Sequence, residues 1–219
     1  DSADLLIGTG SHTHLPMLLQ KKQTGIPVVT CMTPARHLLS RFDLCFVPEH
    51  DGLAGAANIV HTLGAPNMSR DKGRHKVDRG LILLGGIDHK SHHWHGQKIV
   101  AMVEKLIQNN EQLSWTLSSS PRTPGNTIDL VKRLAGKYPR IEFFDYRDTP
   151  DGWVEKQYMQ CSVVWVTSDS ISMIYEALSA GCTVGILPVT WKRKNCKFRR
   201  NEAMLLSKGL VIPFSEHNQ

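Results

Sequence analysis

The sequence predicts an α/β fold in which parallel strands alternate with crossover helices. Short apolar runs rich in β-branched residues recur, and most are followed by turn residues and a segment with apolar positions three and four residues apart. That alternation is typical of β-α-β units. The polar, basic segment Met68–Arg79 divides the pattern in two. We therefore expect two Rossmann-like domains, residues 1–67 and 80–219, joined by a linker at 68–79.

The apolar runs give the expected strands. The first domain has four of them, Leu5–Gly8, Ile26–Met32, Phe42–Val47 and Asn58–Thr62. The second has five, Gly80–Leu84, Leu113–Ser118, Ile141–Phe144, Val163–Thr167 and Thr183–Pro188. Its helices are expected at Gln97–Gln108, Thr127–Lys137, Ser170–Ala180 and Phe198–Ser207. Because a β-α-β domain rarely begins with its glycine turn so near the terminus, we expect the N-terminal domain to be incomplete in this chain.

The composition points to an anionic partner and a reducing compartment. The formal net charge of +6 suits a phosphorylated small molecule, an anionic membrane surface or nucleic acid, and charge alone does not choose among them. The five cysteines form no C-x-x-C pair and lie in or beside apolar runs, as buried thiols do. No apolar run approaches the roughly 18 residues of a membrane-spanning helix. We expect a cytoplasmic protein, either free or peripheral on a membrane.

The segment Val163–Pro188 predicts a strand, a serine-rich turn, a helix and a second strand. Ser168 and Ser170 stand at the end of the first strand and the start of the helix, where hydroxyl groups commonly cap free backbone N–H groups. The same N–H groups form a phosphate site if Asp169 points away from them. Both interpretations remain open, one structural and one functional.

Two further residues of that helix are candidates for nucleotide binding. Ser172 and Glu176 are four positions apart and therefore share one face of the first two turns. A carboxylate placed behind a phosphate site is positioned to accept hydrogen bonds from ribose hydroxyls. We therefore assign Ser172 to phosphate and Glu176 to ribose.

Two other strand ends carry small or cationic residues. Gly85 and Gly86 follow the strand that ends at Leu84, and they either permit a ligand to approach the backbone or form a tight exit turn. Ser119 and Arg122 follow the next strand. Because ligands of open α/β sheets bind at the carboxyl ends of the strands, one pocket is expected to be lined by Gly86, Ser119, Arg122 and Ser168. A purely surface role for Arg122 is the alternative.

A basic stretch with aromatic neighbours follows the last strand of the second domain. The sequence WKRKNCKFRR, residues 191–200, includes the candidate ligand-binding cations Lys192 and Arg199. Such a stretch attracts phosphates, anionic lipid or nucleic acid. Its position after a strand end favours a diphosphate or a lipid head group over a nucleic-acid duplex, and a solvated charged face is the alternative.

The first domain offers acid-base groups but no dinucleotide fingerprint. Thr13 stands where the third glycine of that fingerprint belongs, so no NAD site is expected. The candidates for a catalytic base that activates an acceptor hydroxyl follow two strand ends and are His12, Glu49, His50 and Asp51. A solvated polar turn is the alternative.

A histidine cluster in the second domain is not expected to hold a metal. The residues His89, His92, His93 and His95 have no regular helical ligand spacing and no cysteine nearby. We predict no bound metal and no cofactor.

Several segments carry a resemblance to known families. The block TSDSISMIYEALSAG resembles the nucleotide-binding half of GT-B glycosyltransferases, where a small-residue turn and a Glu-Ala pair precede a glycine and a strand. Together with LIGTGSHTHLP, FDLCFVPEHDGL, TLGAPN, LLGGIDHKSHHW and SSSPRTP, it is similar to the mitochondrial-fission-type proteins, whose bacterial members are labelled predicted nucleoside-diphosphate-sugar epimerases. The resemblance implies a two-domain GT-B-like fold. The sequence has neither a G-x-x-G-x-x-G turn nor a Tyr-x-x-x-Lys pair, which epimerases of the dinucleotide type carry.

The leading functional hypothesis is a metal-independent, GT-B-like glycosyltransferase that binds a nucleotide-diphosphate sugar. The alternative is a non-catalytic adaptor with the same fold that binds a membrane surface or a protein partner. A nucleic-acid-binding protein is the least favoured of the three classes.

Overall fold

Parallel strands and helices build both halves of the chain. The computed structural model describes residues 3–194 and 196–215, and the chain divides into two compact units, Asp1–Asn67 and Met68–Gln219. The predicted α/β class is confirmed.

The first unit contains a four-stranded parallel sheet in the order β1-β2-β3-β4. Its elements are β1 (Leu6–Gly8), α1 (Ser11–Thr24), β2 (Val28–Thr30), β3 (Leu44–Pro48) and β4 (Ile59–Thr62). Short 3₁₀ helices lie at Arg36–Arg41 and Glu49–Asp51. A small core around Val28, Phe42 and Val47 joins the sheet to the helical segments.

The second unit contains a six-stranded parallel sheet in the order β12-β10-β9-β5-β7-β8, and a separate two-stranded antiparallel ribbon of β6 and β11. Its strands are β5 (Lys76–Leu83), β6 (His92–His93), β7 (Ser114–Ser118), β8 (Ile141–Phe144), β9 (Cys161–Thr167), β10 (Thr183–Leu187), β11 (Thr190–Trp191) and β12 (Ile212–Pro213). Its helices are α2 (Gly96–Asn109), α3 (Gly125–Ala135), α4 (Trp153–Tyr158), α5 (Ile171–Ser179) and α6 (Lys197–Ser207).

The core of the second unit explains why its helices form where the apolar spacing predicts. In α2, Ile99, Val103 and Leu106 are buried at three- and four-residue spacing, so this face packs on the sheet. Trp115 and Trp165 fill the centre of the same core and are almost fully buried. Burial of side chains this large supplies much of the hydrophobic stabilisation of the unit.

The structure differs from the predicted linker in one respect. The expected linker 68–79 overlaps the first strand of the second unit, because β5 begins at Lys76, which pairs with Cys161. The exposed, polar character of residues 76–79 concealed this half of the strand from apolar patterning.

Within the described ranges, no helix combines the length and the hydrophobicity needed to cross a bilayer.

Candidate functional site

The carboxyl edge of the six-stranded sheet brings several predicted residues together. In a parallel sheet the loops that leave the strands at their carboxyl ends share one edge, which is where α/β proteins bind ligands. Here hydrogen bonds tie neighbouring loops to each other. The backbone N–H of Gly85 donates to Thr167 Oγ1 at 2.7 Å, which joins the ends of β5 and β9. The edge is therefore a fixed surface assembled from separate parts of the sequence.

Asp169 is the centre of this edge. Its side chain is only 1% exposed, and its Oδ2 lies 2.8 Å from Arg122 Nη2. The same oxygen accepts a hydrogen bond from the Gly86 N–H at 3.2 Å. The carboxylate thus points across the sheet edge toward the loop after β5. Within the described residues it therefore points away from the first-turn N–H groups of α5, and its charge is compensated inside the protein by Arg122 and a backbone amide.

Close packing explains the two glycines after β5. A Cβ atom at Gly85 would lie 2.2 Å from Asp169 Oδ2, and one at Gly86 would lie 1.9 Å from the backbone oxygen of Arg122. Neither distance is compatible with a side chain. Both glycines therefore have a structural role, which is to let the loops after β7 and β9 approach the end of β5.

The Arg122 side chain is partly exposed, but the end of its guanidinium is bound to a buried carboxylate. Its side chain is 41% exposed although its Nη2 atom is bound to Asp169. Nη2 also donates to Ser170 Oγ at 3.1 Å, so the candidate residues Arg122 and Ser170 are in direct contact. An anchored guanidinium at an open sheet edge is a suitable partner for phosphate oxygens.

The other predicted serines occupy different environments. Ser119 and Ser168 are buried, and their hydroxyl oxygens accept backbone hydrogen bonds from Tyr146 at 3.0 Å and Val189 at 3.1 Å. They hold the edge together rather than presenting hydroxyl groups to solvent. Ser172 is exposed on the first turn of α5, whose N-cap residue Ser170 makes no side-chain capping hydrogen bond. The first-turn N–H groups of α5 are therefore not capped by that hydroxyl.

Glu176 lies on the second turn of α5 against the short helix α4. Its Oε2 is 3.4 Å from the hydroxyl of the buried Tyr158, which is the donor of this contact. Burial raises the pKa of the Glu176 carboxyl, the negative charge of Glu155 raises it further, and the Tyr158 hydrogen bond opposes the shift. The Glu176 carboxylate is thus held, when ionised, in an environment that disfavours its charge.

A pH-dependent stability is expected from that environment. Below the usual glutamate pKa, Glu176 is protonated in both the folded and the unfolded chain and contributes nothing to pH dependence. As the pH rises, the unfolded chain releases the proton first, so Glu176 lowers the stability at neutral pH. We expect Glu176→Gln to raise the free energy of unfolding at pH 7, by less than about 1 kcal/mol because the side chain is partly solvated. Thermal unfolding at pH 7 and pH 4 tests this, and a gain that persists at pH 4 would contradict it.

The β6–β11 ribbon connects the basic stretch to the sheet edge. The His92 ring is buried, and its Nε2–H donates to the Gly86 carbonyl at 2.8 Å while its Nδ1 accepts from Ser91 Oγ at 2.7 Å. Lys192 follows the partner strand of the ribbon, and its Nζ donates to the His89 carbonyl at 2.6 Å. The ribbon therefore holds the start of the basic stretch beside the loop that contains Gly86.

Arg199 lies further along the basic stretch, on the first turn of α6. Burial raises the pKa of the nearby Glu202 carboxyl, and the Trp191 hydrogen bond and the charge of Arg199 oppose that shift. The Glu202 carboxylate accepts a hydrogen bond from Trp191 Nε1 at 2.8 Å. Asn195, in the middle of the stretch, lies outside the described residues. Lys192 and Arg199 thus have different neighbours. Lys192 is hydrogen-bonded to the loop after β5, whereas Arg199 interacts with Glu202 through its charge.

The predicted acid-base residues of the first unit follow β1 and β3. His12 is exposed on the first turn of α1, and Glu49 is exposed at the end of β3. His50 Nε2 lies 3.8 Å from Asp51 Oδ1, and the other oxygen of Asp51 accepts a hydrogen bond from Thr33 at 2.5 Å. His50 and Asp51 therefore form a neighbouring acid-base pair. Within the described residues, no group of three histidine, cysteine or acidic side chains is arranged to hold a metal ion.

A family model described as mitochondrial fission ELM1 matches residues 1–219, the whole chain. The chain belongs to the mitochondrial fission ELM1 family. The suspected family is therefore confirmed. A comparison of the ELM1-family chain with curated proteins found no match.

Solved structures with a similar fold include one that contains UDP and one that contains UDP-GlcNAc. UDP-GlcNAc 2-epimerase from Neisseria meningitidis, bound to UDP-GlcNAc, has a TM-score of 0.58 and 12% identity, with 91% of this chain and 61% of that chain covered. The S. aureus MnaA-UDP structure has a TM-score of 0.58 and 15% identity, with 95% and 62% covered. MurG from Acinetobacter baumannii has a TM-score of 0.54 and 13% identity, with 96% and 59% covered.

These likenesses establish the fold of the ELM1-family chain as GT-B-like, with Rossmann-like units. The chain spans less than two thirds of the length of each of the three structures.

Sequence patterns did not reveal the structural roles of two residues at the edge, Asp169 and His92. Asp169 is indistinguishable in sequence from an ordinary helix-capping residue, since its partners Gly86 and Arg122 are distant along the chain. His92 stands in a run of histidines in which nothing marks it as the buried one. Only the assembled sheet reveals these contacts.

Proposed function

We propose that the second unit binds the diphosphate of a nucleotide sugar at the carboxyl edge of its sheet, as part of a metal-independent, glycosyltransferase-like enzyme. One observation carries the proposal, which is the partly exposed Arg122 guanidinium anchored at that edge by Asp169. The fold supports it, because two structures of similar fold contain UDP and UDP-GlcNAc.

Electrostatic stabilisation is the chemistry that this edge offers. When a glycosidic bond to a diphosphate breaks, negative charge accumulates on the departing phosphate oxygens, and fixed cations and N–H groups lower the energy of that state. Arg122, the N–H groups at the start of α5 and the cations Lys192 and Arg199 are the proposed sources. Glu176 is the proposed acceptor for ribose hydroxyls. The base for the acceptor hydroxyl is proposed among His12, Glu49, His50 and Asp51 of the first unit.

Replacing Arg122 with glutamine is expected to weaken binding of a nucleoside diphosphate at least tenfold. The loss of a charge-assisted hydrogen bond to phosphate costs about 1.5–3 kcal/mol. Isothermal titration of UDP, GDP and ADP identifies the diphosphate that binds, and ligand-observed NMR measures the matching nucleoside. We expect Arg122→Gln to leave the affinity for the uncharged nucleoside unchanged, and the diphosphate loss to shrink as salt rises.

Arg79 supplies a matched control for that experiment. It is an exposed arginine of the same sheet, but it stands in the first half of β5, away from the carboxyl edge, where it contacts Gln160 at 3.3 Å. Arg79→Gln removes the same charge and is expected to leave diphosphate affinity within about twofold of the original. Equal losses in the two variants would contradict a site at Arg122. No binding of any diphosphate would favour the non-catalytic adaptor instead.

A further inference from the structure

The geometry of the Arg122–Asp169 pair differs from that of a second pair at the same edge, in which a buried aspartate also binds an exposed arginine. Asp145, at the end of β8, is also almost fully buried, and both of its oxygens bind Arg147, at 3.0 Å to Nε and 2.6 Å to Nη2. Asp169 uses only Oδ2 toward Arg122, at 2.8 Å. Its buried Oδ1 has no hydrogen-bond partner among the described residues. The Asp145–Arg147 pair is bidentate, whereas the Asp169–Arg122 pair is joined by one oxygen and one nitrogen.

The contact with Asp169 engages only one of the three guanidinium nitrogens of Arg122. Both partners of this guanidinium among the described residues, Asp169 Oδ2 and Ser170 Oγ, bind the Nη2 atom. In the part of the chain that the structure describes, the Nη1 and Nε donors of Arg122 make no hydrogen bond. Arginine carries N–H donors on all three nitrogens, so the remaining donors are available to another anion. The partial exposure of the side chain places them within reach of solvent and of a ligand.

We propose that Asp169 is a positioning residue, which fixes Arg122 through Nη2 so that Nη1 and Nε meet the phosphate of the ligand. The proposal rests on the proposed function, since it assigns a role within the same diphosphate site. The conformational entropy of the flexible arginine side chain is lost when the protein folds and not when the ligand binds. This preorganisation raises the affinity for the ligand. The Gly86 N–H, bound to the same Oδ2, keeps the carboxylate itself in place.

A double-mutant cycle separates positioning from a general structural role. Asp169→Asn preserves the shape of the side chain and removes its charge. If Asp169 acts through Arg122, this change is expected to lower diphosphate affinity about tenfold in the original chain and by less than about twofold in the Arg122→Gln background. The nucleoside affinity is expected to stay constant throughout. Thermal unfolding establishes that each variant is folded before it is titrated.

Asp145→Asn is the control, because it neutralises an equally buried aspartate that is paired with an arginine at the same sheet edge. We expect it to lower stability without changing diphosphate affinity. Unchanged or tighter binding by Asp169→Asn would overturn the proposal and indicate that the carboxylate competes with phosphate. An equal loss in both backgrounds, or an equal loss in Asp145→Asn, would also overturn it.

A ligand-independent measurement keeps this proposal distinct from the proposed function. In the protein without ligand, the contact with Asp169 is expected to slow rotation about the Cζ–Nη2 bond of Arg122, so that the Nη2–H protons give a resolved signal, and Asp169→Asn is expected to abolish that signal. If the signal behaves in this way but no diphosphate binds, then the proposed function fails while the anchoring of Arg122 stands. If the signal is unaffected by Asp169→Asn, then the positioning role is wrong whatever binds.

Discussion

Replacing Gly86 with alanine is expected to lower the free energy of unfolding of the second unit by about 3 kcal/mol. The new Cβ would lie 1.9 Å from the backbone oxygen of Arg122 and 2.0 Å from its carbonyl carbon. Because these are backbone atoms, no side-chain rotation relieves the collision, and the loops after β5 and β7 must move apart. The hydrogen bond from Ile87 N–H to the same Arg122 oxygen, at 2.9 Å, would be strained as well. Urea unfolding followed by tryptophan fluorescence measures the change.

Gly125 provides the control for that substitution. It begins α3, its φ is not positive, and a Cβ atom there would meet nothing within 4 Å. Gly125→Ala is therefore expected to be neutral or to stabilise by up to about 1 kcal/mol. A small effect of Gly86→Ala, comparable with that of Gly125→Ala, would show that the two loops do not approach each other as described.

Replacing Arg122 with methionine is expected to lower the free energy of unfolding by about 3 kcal/mol, because it leaves the buried Asp169 carboxylate without its counter-ion. Asp169→Asn added to Arg122→Met removes the uncompensated charge. The double variant is therefore expected to be more stable than Arg122→Met alone. If adding Asp169→Asn lowers stability further, the two side chains are not an ion pair in solution.

Periodic patterns predicted the elements that have enough residues to show a period. The strands β7, β8, β9 and β10 and the helices α2 and α5 fall within two or three residues of the predicted bounds, because each buries a continuous apolar face. The ribbon strands β6 and β11 have two residues each and the helix α4 has six, so they show no usable period. The first half of β5 was not predicted for a different reason, which is that its residues are exposed and mostly polar.

The candidate site was predictable in position but not in its internal contacts. The rule that ligands bind at the carboxyl ends of parallel strands predicted that Gly86 and Arg122 share one edge, and the structure brings both into contact with Asp169. The orientation of the Asp169 carboxylate depends on Arg122 and Gly86, which lie in loops far from it along the chain. Local sequence carries no signal for such contacts. The two glycines illustrate the same limit, since their role is set by Asp169 and by the Arg122 backbone.

The most direct test of the account is a crystal structure of the chain with the diphosphate that binds it. We expect a phosphate oxygen about 3 Å from Nη1 or Nε of Arg122, with Asp169 still bound to Nη2. The result that would contradict the account is a diphosphate bound elsewhere in the second unit while Arg122 contacts only Asp169 and Ser170. One such place is the polar groove of about 440 Å³ lined by Lys98, Asn126 and Arg133.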